Sequence, residues 1–338
     1  MLVSAVLDPS AFDAEDFDDL YAIHAEDFLQ GIWRNGVLIV DAERKLQEEL
    51  FKKAEALPIK GNRLRTLLTD LLKEKSKRVA VPSVSPSNAS SSSILDLTCH
   101  LKKDTEPDGL LVGDKNFEKL RFDPEHRHGI VPLSEYRDSN FEKERQRYCD
   151  GFGPIDTLSR SEVDEIVIRS VRFSKWLRFY DAYIGTGDNT SHFRKGIEYI
   201  LSLWREHGFF ASQQGIGDVK IFTCSAEQIR DDETDSAKES KAERNHESYQ
   251  KVVRELIEPL DEDFPWPIRL FVKNDSDGMF HARYLETQHA IIRVDRGFDL
   301  FKQNAGFRRN FFTLNMAESS HLRECRDLPG IPPFDVVS

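Results

Sequence analysis

The segment LVSAVLDPS, residues 2–10, decides how the first half of the chain folds. It is an apolar run that ends in Asp8 and is interrupted at once by Pro9, which is typical of a short buried strand followed by a turn. Two later segments have the same form: GVLIVD at 36–41 ends in an acid, and DGLLVGD at 108–114 ends in Asp114. The pattern therefore predicts several short strands, each with a carboxylate at its end.

Helical periodicity separates these strands. It extends from Phe12 to Phe28 and over residues 41–57, 60–78 and 94–103, whereas PSVSPSNASSSS at 82–93 has the composition of a loop. Alternation of strands and helices predicts an α/β fold with a parallel sheet, so that the acids gather at the carboxyl ends of its strands.

A second α/β pattern begins near residue 163. A helix is predicted over 193–208, a strand over 217–224 and a charged, solvated helix over 231–260, and WPIRLFVKN, FHARYLET and HAIIRVD then read as consecutive strands. We therefore expect two α/β domains, each with a mainly parallel or mixed sheet flanked by helices. The expected boundaries are 1–122 and 163–338, with residues 123–162 as an irregular connection.

The composition limits the classes of protein to consider. The chain has 338 residues, a net charge of −12 and four widely spaced cysteines without a CxxC pair, which favours a reducing, cytoplasmic environment over a disulfide or zinc framework. No basic, apolar leader precedes the first strand, and no apolar run approaches the roughly 20 residues of a membrane span. The acidic charge disfavours binding of nucleic acid through overall charge but leaves room for a local basic groove.

Four acids of the first half are candidates for joint chemistry: Asp8, Glu48 (or its neighbour Glu49), Asp96 and Asp114. Carboxylates gathered at one sheet edge repel one another unless a cation joins them, and oxygen-rich sites suit Mg²⁺ or Mn²⁺. Such ions activate water for attack on a phosphodiester. The alternative is that each acid is an ordinary turn, cap or surface residue.

VLDPS around Asp8, EEL around Glu48, and the segment from Asp96 to Asp114 followed by KNF resemble the PIN-domain nuclease family. The resemblance implies that a strand-end Asp, a helical Glu and two further Asp hold divalent metal for RNA cleavage. It assigns these roles to Asp8, Glu48, Asp96 and Asp114, with Val112 standing where many members have Thr or Ser.

The second half offers basic candidates. His281 and Arg283 are two residues apart on a predicted strand and so share one face, where a ring and a guanidinium suit phosphate. Further residues with possible phosphate or nucleic-acid contacts interleave with aromatic residues or follow the last strands: Arg169, Arg172, Lys175, Arg178 and Arg296. The alternative is a half-buried histidine on a strand and a plain turn at Arg296-Gly297.

YDAYIG at 180–185, FRKGIEYIL, HARYLET and RVDRGFDLF resemble the phospholipase D-like superfamily. They are closest to the divergent branch at the C-terminus of MIT-domain proteins and in bacterial conflict systems. The resemblance implies that His281 handles phosphate with help from Asn304. Arg283 replaces the usual Lys, Gln288 stands where Asp is expected, and a single motif would need a homodimer. The divergent branch is regarded as largely a binding module.

Together these features predict a metal-dependent nuclease, acting on RNA or DNA, joined to a module that binds nucleic acid or a protein partner. By resemblance, this pairing suits a prokaryotic antiviral defence or toxin-like system. Two alternatives stay open: a non-catalytic adaptor in a larger defence assembly, and a metal-independent phosphodiesterase that uses His281 as a dimer.

Overall fold

The computed structural model describes residues 2–13, 18–57, 61–73, 77–82, 93–124, 128–149, 151–211, 217–230, 232–275, 278–280, 282–303, 306–314 and 319–330. The chain divides into two compact units, Met1–Asp150 and Gly151–Ser338. Among the described helices, none combines the length and the apolar character needed to cross a membrane.

The first unit is built on a five-stranded sheet. Its strands are β1 (Val3–Leu7), β2 (Gly36–Ile39), β3 (Val79–Ala80), β4 (Gly109–Val112) and β5 (Ile130–Pro132). All neighbouring strands run parallel, in the order β3-β2-β1-β4-β5. β1, β2 and β4 are buried at every position, as expected for strands of a parallel sheet covered on both faces.

Six α-helices of the described residues accompany this sheet: α1 (Asp19–Asn35), α2 (Lys45–Ala56), α3 (Gly61–Leu71), α4 (Ile94–Thr105), α5 (Asp114–Leu120) and α6 (Asn140–Arg147). α1 begins later than the apolar spacing predicted, because Pro9–Phe12 form a 3-10 turn and the carboxylate of Asp18 caps the amide of Tyr21 at 2.8 Å. The predicted loop at 82–93 falls almost entirely outside the described residues.

Residues 123–162, which we expected to be an irregular connection, instead contain β5 and α6 of the first unit. β5 is a three-residue edge strand that includes Pro132, and the outer edge of a sheet tolerates proline. α6 is almost wholly polar, and its buried Glu142 and Arg145 form an ion pair at 2.6 Å. Neither element has the apolar pattern from which strands and helices are predicted.

The second unit contains a mixed six-stranded sheet. Its strands are β6 (Leu177–Tyr180), β7 (Val219–Cys224), β8 (Ile268–Lys273), β9 (Tyr284–Thr287), β10 (Ile291–Val294) and β11 (Phe312–Leu314). The order is β11-β10-β9-β6-β7-β8, with β6, β7 and β8 parallel and the β9–β6, β10–β9 and β11–β10 pairs antiparallel. The expected α/β class with a parallel and a mixed sheet is thus confirmed.

The helices of the second unit are α7 (Arg160–Val171), α8 (Thr190–His207), α9 (Asp235–Val252), α10 (Glu258–Asp263) and α11 (Ser319–Asp327), with a π-helical turn at Val253–Ile257 between α9 and α10. α8 begins three residues before the predicted helix 193–208, ends at His207 and buries Trp204 completely. Ser159 begins α7 with a capping box, in which its hydroxyl and the carboxylate of Glu162 exchange hydrogen bonds with backbone amides. The charged tract near 231–248 forms α9, as predicted.

Candidate active site

The strand order of the first sheet reverses between β1 and β4, and this reversal positions the candidate site. The two strands pair in parallel with Leu7 opposite Leu111, and the amide of Asp8 donates to the carbonyl of Leu111 at 2.8 Å. In open α/β sheets, ligands bind beyond the carboxyl ends of strands at such a reversal. Asp8 and Asp114, which follow the two strands, therefore lie at the position where this fold class forms its sites.

Asp8 is 1% exposed and is held by donors from three elements. Its Oδ1 accepts from the amide of Ser10 at 2.9 Å, from the Ser10 hydroxyl and from Asn116 Nδ2 at 3.1 Å. Its Oδ2 accepts from the hydroxyl of the fully buried Thr98 at 3.0 Å. These bonds join the end of β1 to α4 and to the first turn of α5.

Asp114 is the first residue of α5 and is half-buried. Its Oδ1 accepts from the hydroxyl of Ser134 at 2.7 Å. The preceding Gly113 donates its amide to the Ser10 hydroxyl at 3.0 Å, and a Cβ atom at Gly113 would lie 2.3 Å from the carbonyl oxygen of Ser10. Glycine at position 113 is therefore required by close backbone approach, and it draws α5 against the turn that follows Asp8.

The other two predicted acids lie on helices that start at this edge but are exposed. Asp96 is in the first turn of α4, where its carboxylate accepts from the amide of Ser93 at 2.9 Å in a capping box. Glu48 is exposed in the first turn of α2, and its neighbour Glu49 pairs with Lys52 at 3.2 Å. Within the part of the chain that the structure describes, no three His, Cys, Asp or Glu side chains form a group able to hold a metal ion.

Electrostatics nevertheless link Asp96 to Asp8. Burial, together with the negative charges of Asp8 and Asp96, raises the pKa of the Cys99 thiol to about 11. Hydrogen bonds from Ser93 hold the pKa of Asp96 below its usual range. Both carboxylates therefore act on one buried thiol of α4, which places the first turn of that helix within the field of the strand-end acid.

Sequence reasoning missed the groups that hold the acids in place: Ser10, Thr98, Asn116 and Ser134. Three of them lie two residues after a predicted acid: Ser10 after Asp8, Thr98 after Asp96 and Asn116 after Asp114. Ser134 has no comparable signal, because it reaches Asp114 from a distant 3-10 turn at Leu133–Asp138.

In the second unit, Asp181 follows β6 and is also 1% exposed. Its carboxylate accepts from the amides of Tyr183 at 3.0 Å and Phe298 at 3.3 Å. Burial raises its pKa to about 6, although those amide bonds and the positive charge of Arg283 act in the opposite direction. Sequence reasoning did not single out this aspartate.

Arg283 and Arg296 lie at the same edge as Asp181. Tyr284, the next residue after Arg283, pairs with Tyr180 of β6, and Arg296 follows β10. The guanidinium of Arg283 lies 4.9 Å from the ring centroid of Tyr183, which is 55% exposed, and its Nη1 donates to the carbonyl of Asp295 at 3.3 Å. His281 and Asn304 fall outside the described residues.

The remaining basic candidates lie at the opposite edge or along β6. Arg169 pairs with Glu165 at 3.0 Å, and Arg172 and Lys175 lie over Phe173 and Phe210 at 5.5 and 4.7 Å from the ring centroids. Because these residues precede β6 whereas Arg283 and Arg296 lie beyond its end, the structure divides the predicted basic set into two groups.

Arg178, in the middle of β6, belongs to a buried polar cluster. Glu286 is 3% exposed, and its Oε2 accepts from Tyr180 at 2.8 Å, from Arg326 Nη1 at 2.8 Å and from Arg178 Nη1 at 3.4 Å. The guanidinium of Arg178 also lies 4.2 Å from the ring centroid of Trp176. The cluster fastens α11 to the sheet, so the charge of Arg178 is used inside the unit.

Comparison with known proteins identifies no relative of this chain. The chain matches no protein-family model, and neither the curated proteins nor the solved structures include a significant match.

Proposed function

We infer that the chain is a divalent-metal-dependent nuclease that cleaves RNA, with Asp8 and Asp114 at the centre of its active site. One observation carries the proposal: these two acids follow neighbouring parallel strands where the strand order reverses, and Asn116, from the first turn of α5, hydrogen-bonds Asp8. The resemblance to PIN-domain nucleases points to the same pair.

The chemistry of the donors fits Mg²⁺ or Mn²⁺, because the side chains that meet at this edge offer carboxylate, hydroxyl and amide oxygens. Asp8 and Asp114 would hold the ion, and Asp96 and Glu48 would complete the acidic set from α4 and α2. A bound divalent ion lowers the pKa of its water and neutralises phosphate charge.

The protein's own groups fix the two central carboxylates. Thr98, Ser10 and Asn116 donate to Asp8, and Ser134 donates to Asp114, so hydrogen bonds hold each acid in one orientation. A carboxylate fixed in this way needs little reorganisation when it meets a cation or a phosphodiester.

In this proposal the second unit is a binding module for nucleic acid or a protein partner. Arg283 and Arg296 at the carboxyl edge of the second sheet are the basic groups that would meet a phosphate, next to the exposed ring of Tyr183. A cleaving unit joined to a recognising unit suits a prokaryotic defence or toxin-like system.

The test uses end-labelled single-stranded RNA and DNA incubated with the whole protein in Mn²⁺, Mg²⁺ or EDTA. We expect cleavage of RNA in Mn²⁺, its loss in EDTA, and a drop of at least a hundredfold in Asp8→Asn and Asp114→Asn, since both remove a charge that faces the metal. Asp104→Asn is the matched control, because Asp104 is an exposed acid near the far end of α4.

A second candidate function is a non-catalytic adaptor. It is favoured by the exposure of Glu48 and Asp96 and by the complete engagement of the Asp8 carboxylate with protein donors. Absence of cleavage in every metal, together with stable recovery of one partner from cells, would support the adaptor. Cleavage that persists in EDTA and is lost in His281→Ala would instead assign the activity to a dimer of the second unit.

A further inference from the structure

A pocket of about 220 Å³ lies between α4 and the end of α5. One wall is the α4 face formed by Leu95, Asp96, Cys99, His100 and Lys103, and the other is formed by Leu120 and Asp123. Pockets for whole small-molecule ligands usually occupy about 300 to 1,000 Å³, so this one suits a single flat ring system. Two leucines supply the apolar walls that such a ring requires.

The pocket adjoins the proposed active site. Asp96 belongs both to its lining and to the predicted acidic set, and Thr98 on the same turn of α4 donates to Asp8 at 3.0 Å. Cys99 lines the pocket and lies within the electrostatic influence of Asp8. The pocket and the strand-end carboxylate of Asp8 are therefore both bordered by the same turn of α4.

The charges of the lining exclude a phosphate as the ligand. Asp96 and Asp123 carry negative charge and Lys103 carries positive charge, so the lining does not offer the excess of cations that a phosphate needs. The ring of His100 is already engaged through Nδ1, which lies 2.6 Å from the carbonyl oxygen of Asp96. Since a carbonyl only accepts, Nδ1 carries a proton and donates to it.

Acceptors therefore outnumber donors among the charged groups of the lining: the carboxylates of Asp96 and Asp123 accept, and Lys103 donates. Among nucleobases, adenine, cytosine and guanine carry exocyclic amino groups that donate, whereas uracil has carbonyls in those positions.

We propose that this pocket holds one base of a single-stranded substrate and prefers a base with an exocyclic amino group. The proposal rests on the proposed nuclease function. Asp96, which belongs to the predicted acidic set, would also contact the base from the wall of the pocket. Phosphate contacts would then position the strand, and the pocket would select the base.

The test measures binding separately from cleavage. Fluorescein-labelled oligo(rC) and oligo(rU) of four nucleotides are titrated with the whole protein in EDTA, and binding is followed by fluorescence anisotropy. The two bases differ by an amino group against a carbonyl at C4, and we expect oligo(rC) to bind about tenfold more tightly, the effect of one hydrogen bond to a charged group.

Leu95→Trp fills the pocket from a half-buried position, and Asp96→Asn replaces a charged acceptor. Both are expected to reduce the preference for oligo(rC) to less than twofold, whereas Lys119→Ala on the exposed face of α5 leaves it unchanged. Circular dichroism of each variant establishes that it is folded.

The outcomes separate this inference from the proposed function. A preference for oligo(rC) that Leu95→Trp abolishes supports the pocket even when no metal produces cleavage. Equal binding of the two oligonucleotides, or a preference that survives in both variants, overturns the pocket, although metal-dependent cleavage would still support the nuclease.

Discussion

Each unit has an aspartate directly after a central strand, and the two aspartates differ in what surrounds them. Asp8 and Asp181 are both 1% exposed. Asp8 accepts from side chains of Ser10, Thr98 and Asn116, whereas Asp181 accepts from the backbone amides of Tyr183 and Phe298. Side-chain donors connect Asp8 to the helices of its edge, while backbone donors enclose Asp181 within a turn. The same sequence feature therefore links a strand to two helices in one unit and closes a turn in the other.

Gly297 shows how close this closure is. Its φ is +74°, and a Cβ atom there would lie 2.2 Å from Oδ2 of Asp181 and 3.3 Å from Cγ of Arg283. The turn after β10 therefore packs directly on the carboxylate. Asp181 is therefore enclosed, whereas Arg296 is exposed and Arg283 is half-buried at the same edge.

Removal of the Asp8 carboxylate should have the largest effect on stability. Asp8→Ala removes the acceptor of the Asn116 amide and leaves the buried hydroxyl of Thr98 with only the carbonyl of Leu95, and we expect the free energy of unfolding of the first unit to fall by about 3 to 4 kcal/mol. Chemical denaturation followed by circular dichroism measures the change. Asp13→Ala, which removes a partly exposed partner of Lys53, should cost less than about 1 kcal/mol. Equal effects of the two substitutions would show that the Asp8 cluster is not structural.

A methyl group at Gly297 should break the closure around Asp181. Gly297→Ala combines a positive φ with a clash, and we expect a loss of about 3 kcal/mol in the free energy of unfolding. Gly187→Ala is the matched control, because Gly187 has the same φ of +74° but its Cβ would meet its nearest atom at 3.4 Å. It should lose only about 1 kcal/mol, for backbone strain alone. If the two variants unfold at the same denaturant concentration, the contact with Asp181 contributes nothing.

The titration of Asp181 should make the free energy of unfolding depend on pH. Burial raises the pKa of Asp181 from 3.8 to about 6 in the folded protein, so the folded state binds this proton more tightly than the unfolded state does. The stability that this group contributes is therefore present below pH 4 and is lost as the pH rises to about 6, with a total near 2 to 3 kcal/mol.

The measurement is the difference in free energy of unfolding between the wild-type protein and Asp181→Asn at pH 4 and at pH 7. We expect the wild type to lose stability relative to the variant over this interval. A difference that stays constant would mean that Asp181 has the same pKa in the folded and the unfolded state.

The smallest expected effect tests one bond of the Asp8 cluster. Thr98→Val keeps the shape of the side chain but removes its hydroxyl, which donates to Asp8 Oδ2 and to the carbonyl of Leu95. We expect a loss of about 1 to 1.5 kcal/mol by denaturation and a reduced rate of RNA cleavage. Thr66→Val on α3, where the hydroxyl reaches only a helix carbonyl near solvent, should change neither quantity measurably. A silent Thr98→Val would show that Oδ2 of Asp8 is held by other means.

For most of the candidate site, the sequence could predict the positions of the acids but not the hydrogen bonds that each carboxylate accepts. Asp8, Asp41 and Asp114 each end a predicted strand, yet the carboxylate of Asp41 accepts from the amides of Lys45 and Leu46 and so caps α2. Asp96 likewise caps α4 through Ser93. A local hydrogen bond to the backbone and a role in a site use the same residue type, so sequence spacing cannot separate them.

The amino-acid sequence by itself determined the α/β class, the strands β1, β2 and β4, and the consecutive strands β8, β9 and β10, because alternating apolar runs and helical periodicity are local properties of the chain. Only the tertiary structure decided the strand order, which makes β1 and β4 neighbours. It alone decided that Asp8 and Asp181 are buried, whereas Glu48 is exposed and Arg283 is half-buried. It also divided the basic residues between the two edges of the second sheet. Strand order and burial depend on contacts between residues more than a hundred positions apart, such as Asp8 with Asn116 and Asp181 with Phe298, and no local pattern records them.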